Sequence, residues 1–250
     1  MLYFPHMEFN IDLAGVPIQI RCRHKESKEF LAGYLTDREA ELTVEPTDAD
    51  LRKVRLELEQ MAERDGYQYT RISDTYLENN ALHALIAEKI VPHGVLLFHG
   101  SALCMDGEAV IFTAPSGTGK STQARIWREV FGSRVQMIND DKPLLRPENG
   151  KVMVYGSPWN GKHQLSNNIA APLKAVLLVT RSESNYLEPL SGADAFQTMI
   201  RQGYRSENRL TRMQTLSMEM AIIETIPFYR LYCNLNPEAA LAAWTGIHNI

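Results

Sequence analysis

Three cysteines, Cys22, Cys104 and Cys233, are too few and too scattered for a disulfide framework, and they make no CxxC or Cys/His spacing suited to zinc. They are expected as buried or idle thiols in a reducing compartment. The longest apolar runs, such as GVLLFHGSAL, fall well short of the roughly 20 residues that span a bilayer. The opening MLYFPHMEFNIDL has no basic n-region and no apolar core of signal-peptide length. Neither sign of charge is in excess: 26 Lys and Arg against 30 Asp and Glu leave a formal −4, with no global pull toward nucleic acid or anionic lipid. Internal repeats and low-complexity linkers are missing too. These absences predict a soluble, cytoplasmic protein with no nucleic-acid or membrane partner.

The chain has the means for a core, with 44% hydrophobic and 22% charged residues over 250 positions. That length suits one large domain, or a main domain with a smaller one attached. FNIDLAGVPIQIRCR alternates apolar and polar residues around a Gly-Val-Pro turn, which predicts a hairpin, and EAELTVEP adds a strand. TDADLRKVRLELEQMAERDG begins on a Thr cap and ends at Gly66, as a helix would, and a second helix is expected over 74–90. From Gly94 the texture changes to short strand-like runs, VLLFHGSALCM, EAVIFTA, RVQMIND, KVMVYG and KAVLLVT. The first two are expected to form a tight hairpin through Asp106-Gly107. Helices are predicted over 119–131, 192–203, 207–224 and from Pro237, with a strand at FYRLYCN. The fold class is therefore α/β, a mixed-sheet domain over 91–250, preceded by a small α+β unit over 1–90. The smaller unit is a candidate for docking a substrate or partner.

Ala114, Pro115, Ser116, Gly117, Thr118, Gly119, Lys120 and Ser121 read as a small residue, four spacers and Gly-Lys-Ser, followed by Thr122. Small residues let the backbone curl so that N–H groups face phosphate oxygens, and the following helix adds its positive end. Lys120 can then reach β and γ phosphates, and the Ser121 hydroxyl can ligate Mg2+. The other reading is a glycine-rich turn. AVIFTA before the loop and the helical KSTQARIWREVF after it favour a cradle for ATP, despite Ala114 in place of the usual leading glycine.

Phosphoryl transfer also needs support for the metal and a group to position the nucleophile. Asp140 and Asp141 close the next strand and point in different directions, so one can serve a metal and the other an acceptor hydroxyl. Alternatively they form a turn or helix cap. His99 lies one strand before the cradle, as a site residue or a structural histidine. VYGSPWNGKHQLSNN, with Trp159, Lys162 and His163, reads as a site-lining loop or a packed turn. Arg201, Arg205, Arg209 and Arg212 would share one helical face, for phosphate or for solvent, although Gly203 and SEN argue against one continuous helix.

HGSALCMDGEAVIFTAPSGTGKST followed by NDD resembles the C-terminal catalytic domain of HPr kinase/phosphorylase and the wider HPr kinase-like group. That group shares a core with ATP-dependent phosphoenolpyruvate carboxykinase. The resemblance covers roughly residues 92–185. It implies an ATP- and magnesium-dependent kinase acting on a serine of a small protein or peptide. By that likeness Lys120 holds phosphates, Ser121 the metal, and His99 lies beside the active centre. One of Asp140 and Asp141 is the base, and the other helps hold magnesium. The later Glu-x-Arg-Gly signature of the bacterial enzyme is replaced by YGSPWNGK, and Ser121-Thr122 stands where Ser-Glu is common. HPr as substrate and a reverse phosphorylase reaction are therefore not implied. Two rivals share the cradle: a nucleotide-responsive peptide-binding module, and a small-molecule or carboxykinase-like enzyme. The sequence leaves room for a homo-oligomer.

Overall fold

Alternating burial along two short segments builds the first unit, Met1–Ile90, of the two into which the chain divides. The structure, a computed structural model, describes residues 6–64, 66 and 72–249. Strands β1 (Met7–Leu13) and β2 (Val16–Cys22) pair antiparallel, and β3 (Leu42–Val44) runs parallel to β2. The hairpin turns at Ala14-Gly15, both with positive φ, so the expected Gly-Val-Pro turn moves back and Val16-Pro17 opens β2. Primed turns match the twist of a hairpin, which is why the turn settles there. Helix α1 (Lys25–Phe30) lies between β2 and β3, and helices α2 (Asp48–Arg64) and α3 (Asp74–Lys89) follow β3. The expected end of α2 includes Asp65, which lies outside the described residues. The carboxylate of Glu78 on α3 is buried because it accepts from Arg23 N, His24 N and Ser27 Oγ at 2.7, 3.1 and 2.6 Å. It thereby supplies acceptors that the start of α1 lacks.

The second unit, Val91–Ile250, is a mixed α/β fold. Its strands are β4 (Leu96–Leu97), β5 (Ser101–Met105), β6 (Glu108–Thr113), β7 (Val135–Asn139), β8 (Leu144–Glu148), β9 (Lys151–Tyr155), β10 (Ala170–Arg181), β11 (Tyr186–Pro189) and β12 (Phe228–Cys233). Its helices are α4 (Lys120–Phe131), α5 (Gly192–Gln202), α6 (Arg209–Thr225) and α7 (Glu238–His248). β5 and β6 form the expected hairpin through Asp106 and Gly107, both at positive φ. VLLFHGSALCM is not one strand: it breaks at Phe98-His99-Gly100 between β4 and β5. A Cβ on Gly100 would stand 2.7 Å from Ile111 Cγ2 and 2.9 Å from Phe112 O, so only glycine lets the chain press so close to β6.

Strand β10 organises the sheet. Its C-terminal half pairs parallel with both β6 and β12, whereas Ala170–Pro172 pair antiparallel with β9. One arm runs β7-β5-β6-β10-β12-β11, and the other continues from β9 to β8 and β4. KAVLLVT is nearly all apolar because both faces are covered. β6 shows the same constraint: Val110, Phe112 and Ala114 enter one buried cluster, Ala109 and Ile111 the other. Trp127 of α4 anchors the first cluster edge-on to Phe112, Phe131 and Trp244, at centroid distances of 5.4, 5.4 and 5.8 Å. Met199 of α5 and Ile222 of α6 pack in the second. The four arginines do not share a face, since α5 ends at Gln202 and α6 begins at Arg209. Arg205 turns inward to the buried carboxylate of Glu219, and Arg212 donates to Ser206 O and Glu207 O. Among the described residues no helix is long and apolar enough to cross a membrane.

Cys22 and Cys233 are buried, and burial pushes their thiols up to about 12 and about 11. Cys104 is half-buried and is also shifted up by burial. Iodoacetamide at pH 8 should therefore leave Cys22 and Cys233 unmodified in the native protein and label both after denaturation, with Cys104 the first to react. Mass spectrometry of the labelled peptides checks this.

Candidate functional site

The hydrophobic drive to bury both faces of β6 fixes where the glycine-rich loop leaves the sheet. Ala114 is fully buried at the end of the strand, Pro115, Ser116 and Gly117 are exposed, and Thr118 and Gly119 are half-buried ahead of α4. Gly117 and Gly119 have φ of 77° and 131°, values that side chains with a Cβ resist, so the turn requires these glycines. Lys120 folds back over the loop, its Nζ donating to Ala114 O at 2.9 Å and Pro115 O at 3.5 Å. Burial holds the Lys120 ammonium below the usual lysine range; Asp141 and Asp140 counter that shift and Lys142 adds to it.

Arg181, at the end of the neighbouring β10, secures the outside of the loop. Its Nη2 and Nε donate to the carbonyls of Gly117 and Thr118 at 2.6 and 3.1 Å. In a trans peptide the following N–H points opposite to the carbonyl. Holding these carbonyls on Arg181 thus turns the N–H of Gly119 to the opposite side, where a cradle needs its donors.

The carboxylate pair depends on Asn139, whose side chain is wholly buried at the end of β7. Its Oδ1 accepts from Asp141 N at 2.8 Å and Lys142 N at 2.6 Å, an Asx turn that folds the chain sharply after Asp140. Its Nδ2 donates to Ser157 O at 2.9 Å and to Trp159 O at 3.2 Å, fastening the glycine-rich loop beside the turn. Ser157 Oγ closes the ring by donating to Lys142 O at 2.6 Å. The expected Asx turn and the expected pair of diverging carboxylates thus coexist. The turn belongs to Asn139, which leaves both aspartate side chains at liberty.

Asp140 is buried and accepts from Ser101 Oγ at 2.5 Å, and the same hydroxyl lies 3.5 Å from Ser121 Oγ. Asp141 is half-exposed and faces the other way, with Oδ1 3.4 Å from His99 Nε2 and 3.6 Å from Lys142 Nζ. His99 is held by Gln202 twice, backbone to backbone at 2.8 Å and Nδ1 to Oε1 at 2.9 Å. Burial, with Lys142 and Lys120 nearby, lowers its pKa, while Asp141 and Gln202 oppose that shift. The ring thus stands between Gln202 on its Nδ1 side and Asp141 on its Nε2 side. Thr113 Oγ1 donates to His99 O at 3.0 Å, tying this segment to the end of β6.

The structure thus gathers His99, the 114–122 loop, Asp140 and Asp141 at one end of the sheet. A cavity of about 270 Å³ opens beside Ser121, Thr122 and Asp140 and continues along α4 to Arg125 and Arg128. His163 joins its lining, whereas Trp159 takes part through its carbonyl and Lys162 stays exposed. The arginines at 201, 205, 209 and 212 are not part of that lining. Ser101, Asn139, Arg181 and Gln202 were not singled out from sequence. Ser101 and Asn139 sit inside the quoted HGSA and NDD stretches, while Arg181 and Gln202 carry no local signal.

A buried lysine at a helix start, a hydroxyl at the next position and the neighbouring Asp140–Asp141 pair make a donor set of hard oxygens and one cation. Such a set suits a nucleoside triphosphate with magnesium, which takes a few protein oxygens and fills its other positions from phosphate and water. Among the described residues no three His, Cys, Asp or Glu side chains cluster as a self-sufficient metal centre.

Residues 74–239 match the model of a family described as SynChlorMet cassette protein ScmC. Among solved structures, the chain is similar to the Hpr(Ser) kinase/phosphatase from Coxiella burnetii at 18% identity and a TM-score of 0.36, covering 61% of this chain and 94% of that one. No curated protein matches.

Asn139→Ala would strand the Asp141 and Lys142 amides and release the Ser157–Trp159 loop. Buried groups left without partners cost about 1–3 kcal/mol each, so a loss of about 2–4 kcal/mol is expected. Thermal unfolding should register it as a melting point lower by about 5–15 °C.

Proposed function

This chain belongs to the SynChlorMet cassette protein ScmC family, and we propose that it is an ATP- and magnesium-dependent phosphotransferase acting on a serine hydroxyl of a small protein or peptide. The observation that carries this reading is the Ser121–Ser101–Asp140 chain of oxygens set directly beside the glycine-rich loop and Lys120.

On this reading the loop amides and Lys120 hold the β and γ phosphates of ATP. Lys120 leaves its carbonyl partners and places its charge on the oxygens that gain negative charge as transfer proceeds. Ser121 and one carboxylate of the pair hold magnesium. When bound, the metal neutralises charge on the phosphate oxygens. Asp140 lines the cavity, so it meets the acceptor, and Ser101 fixes one of its oxygens and leaves the other for the serine hydroxyl. The serine oxygen bonds to the γ-phosphorus as the bond to the bridging oxygen breaks, ADP leaves, and the hydroxyl proton passes to Asp140. Asp141, on the Lys120 and His99 side, is assigned to the metal and phosphates, and His99 with Gln202 keeps its carboxylate in place. Lys142 shares the screening of that charge.

Lys120→Ala should lower phosphotransfer by about 10²–10³-fold and weaken MgATP binding. Asp140→Asn should keep MgATP binding while lowering transfer by about 10²–10⁴-fold. Asp141→Asn should raise the magnesium concentration needed for half-maximal activity. Calorimetric titration with MgATP and label transfer from [γ-32P]ATP check all three. Unchanged transfer by Lys120→Ala would overturn the assignment. Nucleotide binding with no turnover, indifferent to Asp140→Asn, would point instead to a nucleotide-responsive binding module.

A further inference from the structure

We infer that the cavity running along α4 is an acceptor subsite that selects a serine peptide carrying Asp or Glu about three residues from the phosphorylated hydroxyl; this rests on the phosphotransferase reading above. The cavity is lined by Ser121 and Asp140 beside the loop and by Arg125 and Arg128 further along α4. Met137 and Leu165 lie in the lining as well, offering apolar contact to an extended chain. Its volume of about 270 Å³ falls just under the common range for a complete small-molecule ligand, so it suits a stretch of a larger molecule.

Distance sets the position of the acidic residue. Arg128 follows Ser121 by seven residues on one helix, a rise of about 10 Å. An extended peptide covers that span in about three residues. The phosphates of ATP sit at the other end of α4, over the 115–120 loop, so Arg128 is too far along the helix to serve them. Arg125 is engaged by Glu129 at 2.5 Å, one helical turn further on. Among the described residues no ion pair involves Arg128, which is exposed and lines the cavity. A planar guanidinium meets a carboxylate through two parallel hydrogen bonds, which gives it preference over serine peptides that are neutral or basic at that position. His163, exposed on the opposing loop, is the third nitrogen-bearing side chain of the lining.

The test uses the full chain with Mg2+, [γ-32P]ATP and a peptide library with a fixed central serine and degenerate flanks. The labelled pool should be enriched about two- to five-fold in Asp and Glu near three positions from the serine, the scale of one partly exposed ion pair. Arg128→Glu should turn the preference toward Lys and Arg. Arg128→Gln, the milder change, should flatten it. Labelled peptides without acidic enrichment, or an Arg128→Glu protein with the wild-type preference, would overturn the subsite while leaving the phosphotransferase reading intact. MgATP titrations on the same samples keep the two apart: no nucleotide binding and no label would remove both.

Discussion

Asn139 is a single side-chain amide spent on the backbone around it and on the Ser157 hydroxyl. One end of the amide sets the turn that separates the directions of Asp140 and Asp141, and the other holds Ser157 and Trp159. Inside a protein such bonds are strong, and their absence is costly, because no water stands by to replace them. The two acids therefore inherit their geometry from a residue that takes no part in the chemistry. The adjoining loop is held by further main-chain bonds: Asp140 N donates to Leu165 O, and Asn167 N to Ile138 O. Gly156 permits this closure, since a Cβ there would lie 2.0 Å from Asn167 O.

The cradle is built on the same plan, with functional groups positioned by partners from distant parts of the chain. Lys120 and the loop come from one strand–loop–helix unit, but Arg181 at the end of β10 orients the peptide planes of that loop. His99 is held by Gln202, which stands 103 residues later at the end of α5. Both outer partners reach the site because β10 and the α5–α6 connection flank the β5–β6 hairpin, with Gly203 bridged to Phe98. A change in the packing of α5 or β10 is thus felt at the candidate site without any contact with its ligands.

Legibility from sequence follows from the range of each constraint. The turn of the 114–122 loop is readable because Gly117 and Gly119 are demanded locally, by their φ values. The β5–β6 hairpin is readable for the same reason, through Asp106-Gly107. Strand β8 hides in KPLLRPE, where two prolines discourage a strand assignment that an open position beside β9 nevertheless permits. The branching of the sheet at β10 leaves no trace in its almost wholly apolar sequence, since burial on two faces reads the same whichever strands provide the cover. Ser101, Arg181 and Gln202 are ordinary polar residues in one dimension, and only the fold gives them partners. The arginine series carries its own warning: Gly203 and SEN mark, in the sequence, the break between α5 and α6 that dissolves the regular spacing.

The glycine-rich loop over 156–169 is fastened at its base, by Asn139, Ser157 and the contacts of residues 165–167 with β7. Its tip, with Lys162 and His163, is exposed and takes no part in that fastening. Base and tip are therefore structurally separate. The tip can be rewritten while the base, the carboxylate turn and the phosphate loop stay as they are. An engineer rewriting the tip would keep Gly161, which sits at a positive φ where a Cβ would stand 3.1 Å from Asp141 Cβ, as the fixed pivot of the exchange.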